Sequence, residues 1–291
     1  MTAPPMDASR HATSTVAPAL ERPRLELSGA KLAQALESLV AGTEEQGGVE
    51  QFVAALQLKS ALFREALDSG KARDLDLPTL KTLCAHAATA RRRMGPYLQP
   101  ETFGALRARV TMLVDGSDDT TTTDSRVAAF CDAFPDDRAH RWVRDLAAEI
   151  LHNVDPERYP LMTRWVWDAR SNTGVVREIW YAEDVDHILI DVPDRFGTFL
   201  MLREELSQFL ADNGVFRDVL HYVDLLTAQV YAGYVSEQGG SYLRTDFATP
   251  EDPMLHTRRL LGLDGVAASG RTRLKAADGT AFVVEDAKLL N

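Results

Sequence analysis

The chain has 291 residues, 45% of them hydrophobic and 26% charged, with a net charge of −11. That composition suits one large folded domain or two modest ones. No apolar run approaches the ~18 residues that span a bilayer, which argues against a membrane protein. With only Cys84 and Cys131, a disulfide framework or a four-cysteine zinc site is excluded; both lie among apolar residues and read as buried thiols.

The charge is unevenly spread. Residues 1–114 carry 14 basic and 12 acidic groups, residues 115–253 carry 12 and 27, and residues 254–291 carry 6 and 4. The middle block contains no lysine. A block with a balance of −15 repels phosphate backbones, so nucleic acid is a poor partner, whereas a basic protein surface or a cation is attracted.

Residues 1–27 are rich in Ala, Pro, Ser and Thr and lack the apolar core of a signal peptide. They read as a disordered tail on a cytoplasmic protein. Residues 28–114 read as a helical bundle. The stretch from Ser28 places Leu32, Leu36, Leu39 and Val40 on one face and stops at Gly42. A longer helix follows with Val49, Phe52, Val53, Leu56, Leu62, Phe63 and Leu67 inward and Gly70 as its cap. A third begins at Pro78 and ends in Arg91, Arg92 and Arg93, cations suited to the negative end of a helix dipole. A fourth turns Phe103, Leu106, Val110 and Leu113 inward.

Residues 115–124, without an apolar side chain, read as a linker ending in Asp124 as N-cap of the next helix. Residues 125–253 read as an acidic, aromatic-rich helical domain. Its first long helix buries Trp142, Val143, Leu146, Ile150 and Leu151. A helix from Pro160 would carry Trp165 and Trp167 about 200° apart, so apolar groups point nearly all round and must be covered on several sides. "GVVREIWY" and "HILIDV" suggest a small hairpin. Two further helices follow, one capped near Gly214 and one closing at Gly239–Gly240. Residues 254–291 suggest a helix and a β hairpin turning on Asp278–Gly279. The fold expected is mainly α: a bundle in the N-terminal half and a helical, acidic C-terminal half with a small β hairpin or two.

Aspartate or glutamate stands three residues before histidine four times: Asp137–His140, Glu149–His152, Asp184–His187 and Asp218–His221. That spacing puts both side chains on one helical face. Glu149, His152, Asp218 and His221 could together ligate Fe or Mn, as Glu-x-x-His pairs do in carboxylate-bridged bundles, with Glu204, Glu205 or Asp184 adding carboxylates. Alternatively Asp218 or Asp224 could orient His221 as a general base, with Tyr222 beside it. No nucleophile motif or phosphate loop accompanies these groups. Tyr159, Arg164, Trp165, Trp167, Arg170, Tyr242 and Arg244 form the candidate interaction surface or pocket, since aromatics and arginines anchor protein contacts. Arg258, Arg259, Arg271 and Arg273 flank the glycine-punctuated "LLGLDGVAASG", the one argument for nucleic-acid binding. The function expected is therefore a cytoplasmic accessory or regulatory protein acting through a protein contact, and possible self-association is compatible with it. An Fe- or Mn-dependent enzyme and a nucleic-acid binder are the alternatives.

Overall fold

A computed structural model describes residues 23–182, 187–240 and 254–263, with the backbone of 272–275 and 281–284. It is mainly helical. The helices are α1 (Gly29–Thr43), α2 (Val49–Leu67), α3 (Leu77–His86), α4 (Pro100–Val114), α5 (Thr123–Cys131), α6 (Trp142–Val154), α7 (Val175–Glu178), α8 (Phe196–Asp212), α9 (Val219–Gly240) and α10 (Leu255–Leu260). Among the described residues no helix is long and apolar enough to cross a membrane.

The local signals work at several ends. Ser28 Oγ accepts from Lys31 N at the start of α1, and Asp76 Oδ1 accepts from Thr79 N at the start of α3, where Pro78 occupies the first turn. α1 runs past Gly42 to Thr43, and Val40 is exposed rather than inward. α3 stops at His86, short of the arginine run. There the backbone of Gly262 packs on the His86 carbonyl, so closely that a Cβ on Gly262 would lie 1.8 Å from that oxygen. Ala90 N donates to Ala87 O instead of continuing the helix.

α6 is the central helix. All of its residues but Arg144 are buried, and α2, α4 and α5 pack on it. α9 is the second hub, contacted by α1, α2, α7, α8 and α10. Buried apolar residues from Leu25 to Leu263 form one continuous cluster, with members from helices on both sides of residues 115–124.

Those residues hold a different cap from the one expected. Asp119 caps the 3-10 turn Thr120–Thr122, while Asp124 lies inside α5. Asp124 Oδ1 accepts instead from Phe196 N, so it caps α8 across the chain.

Residues 160–168 form no helix. Pro160 lacks an N–H and biases Tyr159 away from helical backbone. Asp145 Oδ1 accepts from Arg164 N, while Val175 N and Val176 N donate to Trp165 O and Val166 O. The need for cover on every side is met by burial within the chain: Tyr159, Trp165 and Trp167 are all in the core. Gly174 has φ +122°, and a Cβ there would meet Val166 O at 2.7 Å, so the close approach requires glycine.

Among the described residues of 174–192 the expected hairpin is not formed. Val175–Glu178 is a short helix, and 188–195 is irregular. Side chains take the roles a partner strand would have filled. Asn172 Nδ2 donates to Ile188 O, Asn172 Oδ1 accepts from Ile190 N, and Trp167 Nε1 donates to Val192 O. The β component expected of the fold is thus absent from the helical body. Farther on, the backbone of β1 (Thr272–Lys275) pairs antiparallel with β2 (Ala281–Val284), while Asp278 and Gly279 lie outside the described residues.

Candidate functional site

The C-terminal half of α2, the start of α9 and the loops 114–118 and 154–158 enclose an open groove of about 1050 Å³. Six carboxylates line it: Asp68, Asp115, Asp118, Asp155, Glu157 and Asp218. Against them stand two guanidiniums, Arg64 and Arg158, and one imidazole, His221. Arg158 is already matched, its Nη1 lying 2.5 Å from Asp118 Oδ1 and 3.3 Å from Asp155 Oδ2. Asp115 pairs with Arg73 at 2.7 Å. Asp218 Oδ1 accepts from Gln57 Nε2 at 2.9 Å, and Asp68 Oδ1 accepts from Ser69 N at 2.7 Å. Glu157 pairs with no cation among the described residues. Ser69 and Asp218 have φ of 56° and 53°, so two of the lining residues hold left-handed backbone.

Two buried ion pairs lie beneath. Lys59 Nζ is 2.7 Å from Glu149 Oε2 and also donates to Leu261 O at 2.8 Å. Asn153 Nδ2 donates to the same Glu149 oxygen, and Ser60 Oγ donates to Asn153 Oδ1. Glu149 Oε1 has no partner among the described residues. In the second pair His152 Nε2 is 3.1 Å from Asp224 Oδ2, and Nδ1 is 2.8 Å from Tyr159 O. A carboxylate and a carbonyl can only accept, so this geometry favours the imidazolium, in which both ring nitrogens donate. Burial by itself would lower its pKa. The charge and hydrogen bond of Asp224, the Tyr159 carbonyl and Glu149 outweigh that, and the net shift is upward. His221, half-buried on the groove wall, is pushed down by burial against the pull of Asp224.

The four residues considered as metal ligands are placed as follows. Glu149 is held by Lys59, His152 by Asp224 and Tyr159 O, Asp218 is exposed, and His221 lines the groove. The charge of Asp224 favours the protonated form of His221 and that of His152 opposes it. Among the described residues no three His, Cys, Asp or Glu side chains are grouped to hold a metal ion. Glu204 and Glu205 lie on α8, His187 is exposed, and Asp184 is outside the described residues.

The aromatic candidates are interior. Trp167 donates to Val192 O; Tyr159 OH accepts from Arg126 Nη2 and donates to Ser117 O; the indole N–H of Trp165 has no partner among the described residues. Arg164 pairs with Asp145 at 2.9 Å, Arg170 is exposed, and Tyr242 and Arg244 lie outside the described residues. Both cysteines have their thiol pKa raised by burial, Cys131 to about 11.

Sequence reasoning missed Lys59, Ser60 and the groove itself. The signal for Lys59 was present: it and Ser60 sit between Leu56 and Phe63 on the apolar face of α2. A charge at such a position calls for a buried partner. The groove had no such signal, because its walls come from four separated segments. Compared with protein-family models, with curated proteins and with solved structures, the chain matches none.

Proposed function

We propose that the chain is an accessory protein that holds a lysine- or arginine-rich segment of a partner protein in the groove between α2 and α9. The observation that carries this reading is the excess of six lining carboxylates over two guanidiniums, one of them already matched. Like charges gathered in a concave surface focus the potential outward and draw a cationic segment in. The groove's volume is large enough for several side chains, and its walls stand on helices tied together beneath by Lys59–Glu149 and His152–Asp224. The same geometry weighs against the iron or manganese reading, since Glu149 Oε2 and both ring nitrogens of His152 are already engaged by Lys59, Asp224 and the Tyr159 carbonyl.

Fluorescence anisotropy of a labelled nona-arginine peptide tests the reading. Reversing two exposed groove acids, Asp68→Lys with Glu157→Lys, should weaken binding by at least about tenfold at low salt, ~1.4 kcal/mol. Reversing Glu101 and Asp132, exposed acids that do not line the groove, should change it little. Equal losses in the two double variants would show attraction by net charge alone and refute docking in the groove.

A further inference from the structure

The Asp137–His140 pair, which the groove does not use, belongs to a second constellation. Asp137 is the N-cap of the 3-10 turn Arg138–His140. Its Oδ1 accepts from the backbone N–H of Ala139 at 2.8 Å and of His140 at 3.0 Å, and from His140 Nδ1 at 2.8 Å. The turn thereby fixes the carboxylate, and the carboxylate fixes the imidazole. With Nδ1–H given to Asp137, a neutral His140 presents a bare lone pair at Nε2. The hydroxyl of Tyr97 lies 2.7 Å from that nitrogen and donates to it.

Carboxylate, imidazole and phenol therefore stand in series. This is the arrangement in which a base, oriented by a third group, activates a hydroxyl nucleophile. The ring of Tyr97 is clamped by Phe134 and Trp142, with centroids at 5.2 and 5.6 Å, and His140 lies 6.4 Å from Trp142. Arg93 Nη1 donates to Ala139 O, tying the segment that precedes Tyr97 to the histidine turn. Tyr97 and His140 are both partly exposed, and Arg93 and Arg138 are exposed cations on the same two segments. The Arg93 guanidinium, held on Ala139 O, puts a cation on the turn that carries His140, where an anionic electrophile would meet it.

We propose that Tyr97 is a nucleophile toward phosphorus, accepting a phosphoryl group from an activated phosphoric ester or anhydride. The phenol oxygen forms the new O–P bond as its proton passes to His140 Nε2. The bond from phosphorus to the leaving group breaks, and the leaving group departs with the electron pair. Asp137 acts through His140 as a positioning residue, holding its tautomer and balancing the imidazolium. The product is an ester on Tyr97. This inference is independent of the groove and stands or falls apart from it.

An alkyl fluorophosphonate reports the step, because the phenol oxygen displaces fluoride from phosphorus. The full-length chain is treated with it and adducts are mapped by peptide mass spectrometry. Tyr97 is expected to be modified at least about tenfold faster than Tyr181, well inside the range a general base supplies, although Tyr181 is the more open at 71% exposed. His140→Gly is expected to bring Tyr97 down to the Tyr181 rate, and added imidazole to restore it, which a purely structural histidine would not allow. Asp137→Asn, on an exposed turn, is expected to slow Tyr97 without altering the circular dichroism spectrum, and it carries the same test where His140→Gly unsettles the turn. Modification of Tyr97 no faster than Tyr181, or a Tyr97 rate unchanged in these variants, would overturn the proposal.

Discussion

A single lysine shows what burial demands of a charge. Lys59 and Glu149 are both almost fully buried, and each is the other's only ionic partner among the described residues. Removing the cation alone leaves a carboxylate stranded in the core, which costs about 3–5 kcal/mol. Lys59→Met is therefore expected to lower unfolding stability by that amount in urea titrations. Lys59→Met with Glu149→Leu should recover most of the loss, since two apolar groups have no charge to desolvate. A single variant within ~0.5 kcal/mol of the parent would mean that water reaches the pair.

His152 makes a different prediction, through pH. Its pKa in the folded chain lies above the ordinary 6.5. The folded state thus keeps a proton that the unfolded state has lost in the window from 6.5 up to the folded value. The stabilisation is fully present below pH 6.5 and disappears as pH rises through that window. His221 has the opposite sign: its lowered pKa makes stability rise as pH climbs toward 6.5. Unfolding free energy measured across these windows should fall on the alkaline side in the parent and lose that fall in His152→Gln. An identical alkaline slope in both proteins would assign the titration to another group.

Among the elements, the legible ones are those whose information is local. α1, α2, α4, α6, α8 and α9 announce themselves by apolar spacing and by residues such as Ser28 and Gly214 at their ends, whereas α2 is capped by Asp68 and Gly70 opens the 3-10 turn after it. The segment from Asp155 to Arg195 does not announce itself, because its polar backbone is satisfied by side chains far along the chain from the groups they bond: Asp145 for Arg164, Asn172 for Ile188 and Ile190, Trp167 for Val192. Nothing in the local pattern of "GVVREIWY" reveals that Asn172 just before it, and the Trp167 indole, will hold residues 188–192 instead of a strand. The site divides the same way. Asp218 and His221 were expected on one helix face, but Asp218 precedes α9 with left-handed backbone; the partner of Asp224 is His152 from another helix, and the partner of Glu149 is Lys59 from a third.

The fit of α10 is testable at this scale. Gly262 meets the His86 carbonyl with no room for a methyl group, and has φ +71° besides. Gly262→Ala should destabilise by several kcal/mol, on the order of a severe core change, and open the 254–263 segment to limited proteolysis. Gly104, within α4, has open space around its Cα. Gly104→Ala should instead stabilise by about 0.5–1 kcal/mol, the helix-propensity difference. Equal effects of the two substitutions in thermal unfolding would contradict the packing described for α10.

For the whole molecule, the net charge of −11 has a location and a shape. The lysine-free block contributes Asp115, Asp118, Asp155, Glu157 and Asp218 to the groove, and Asp68, the C-cap of α2, adds a sixth acid from outside it. The helices behind the groove are joined by buried ion pairs, so the surface is carried on a fixed frame. An acidic recess on such a frame is complementary to a basic chain and repels a nucleic-acid backbone. The most direct test is to place a photo-crosslinker on an arginine-rich peptide and map the attached residues on the chain at low and high salt. Docking in the groove predicts adducts concentrated at 64–70, 114–118, 154–158 and 218–221, lost together as salt rises. Adducts scattered over the surface, or gathered elsewhere at every salt concentration, would contradict it.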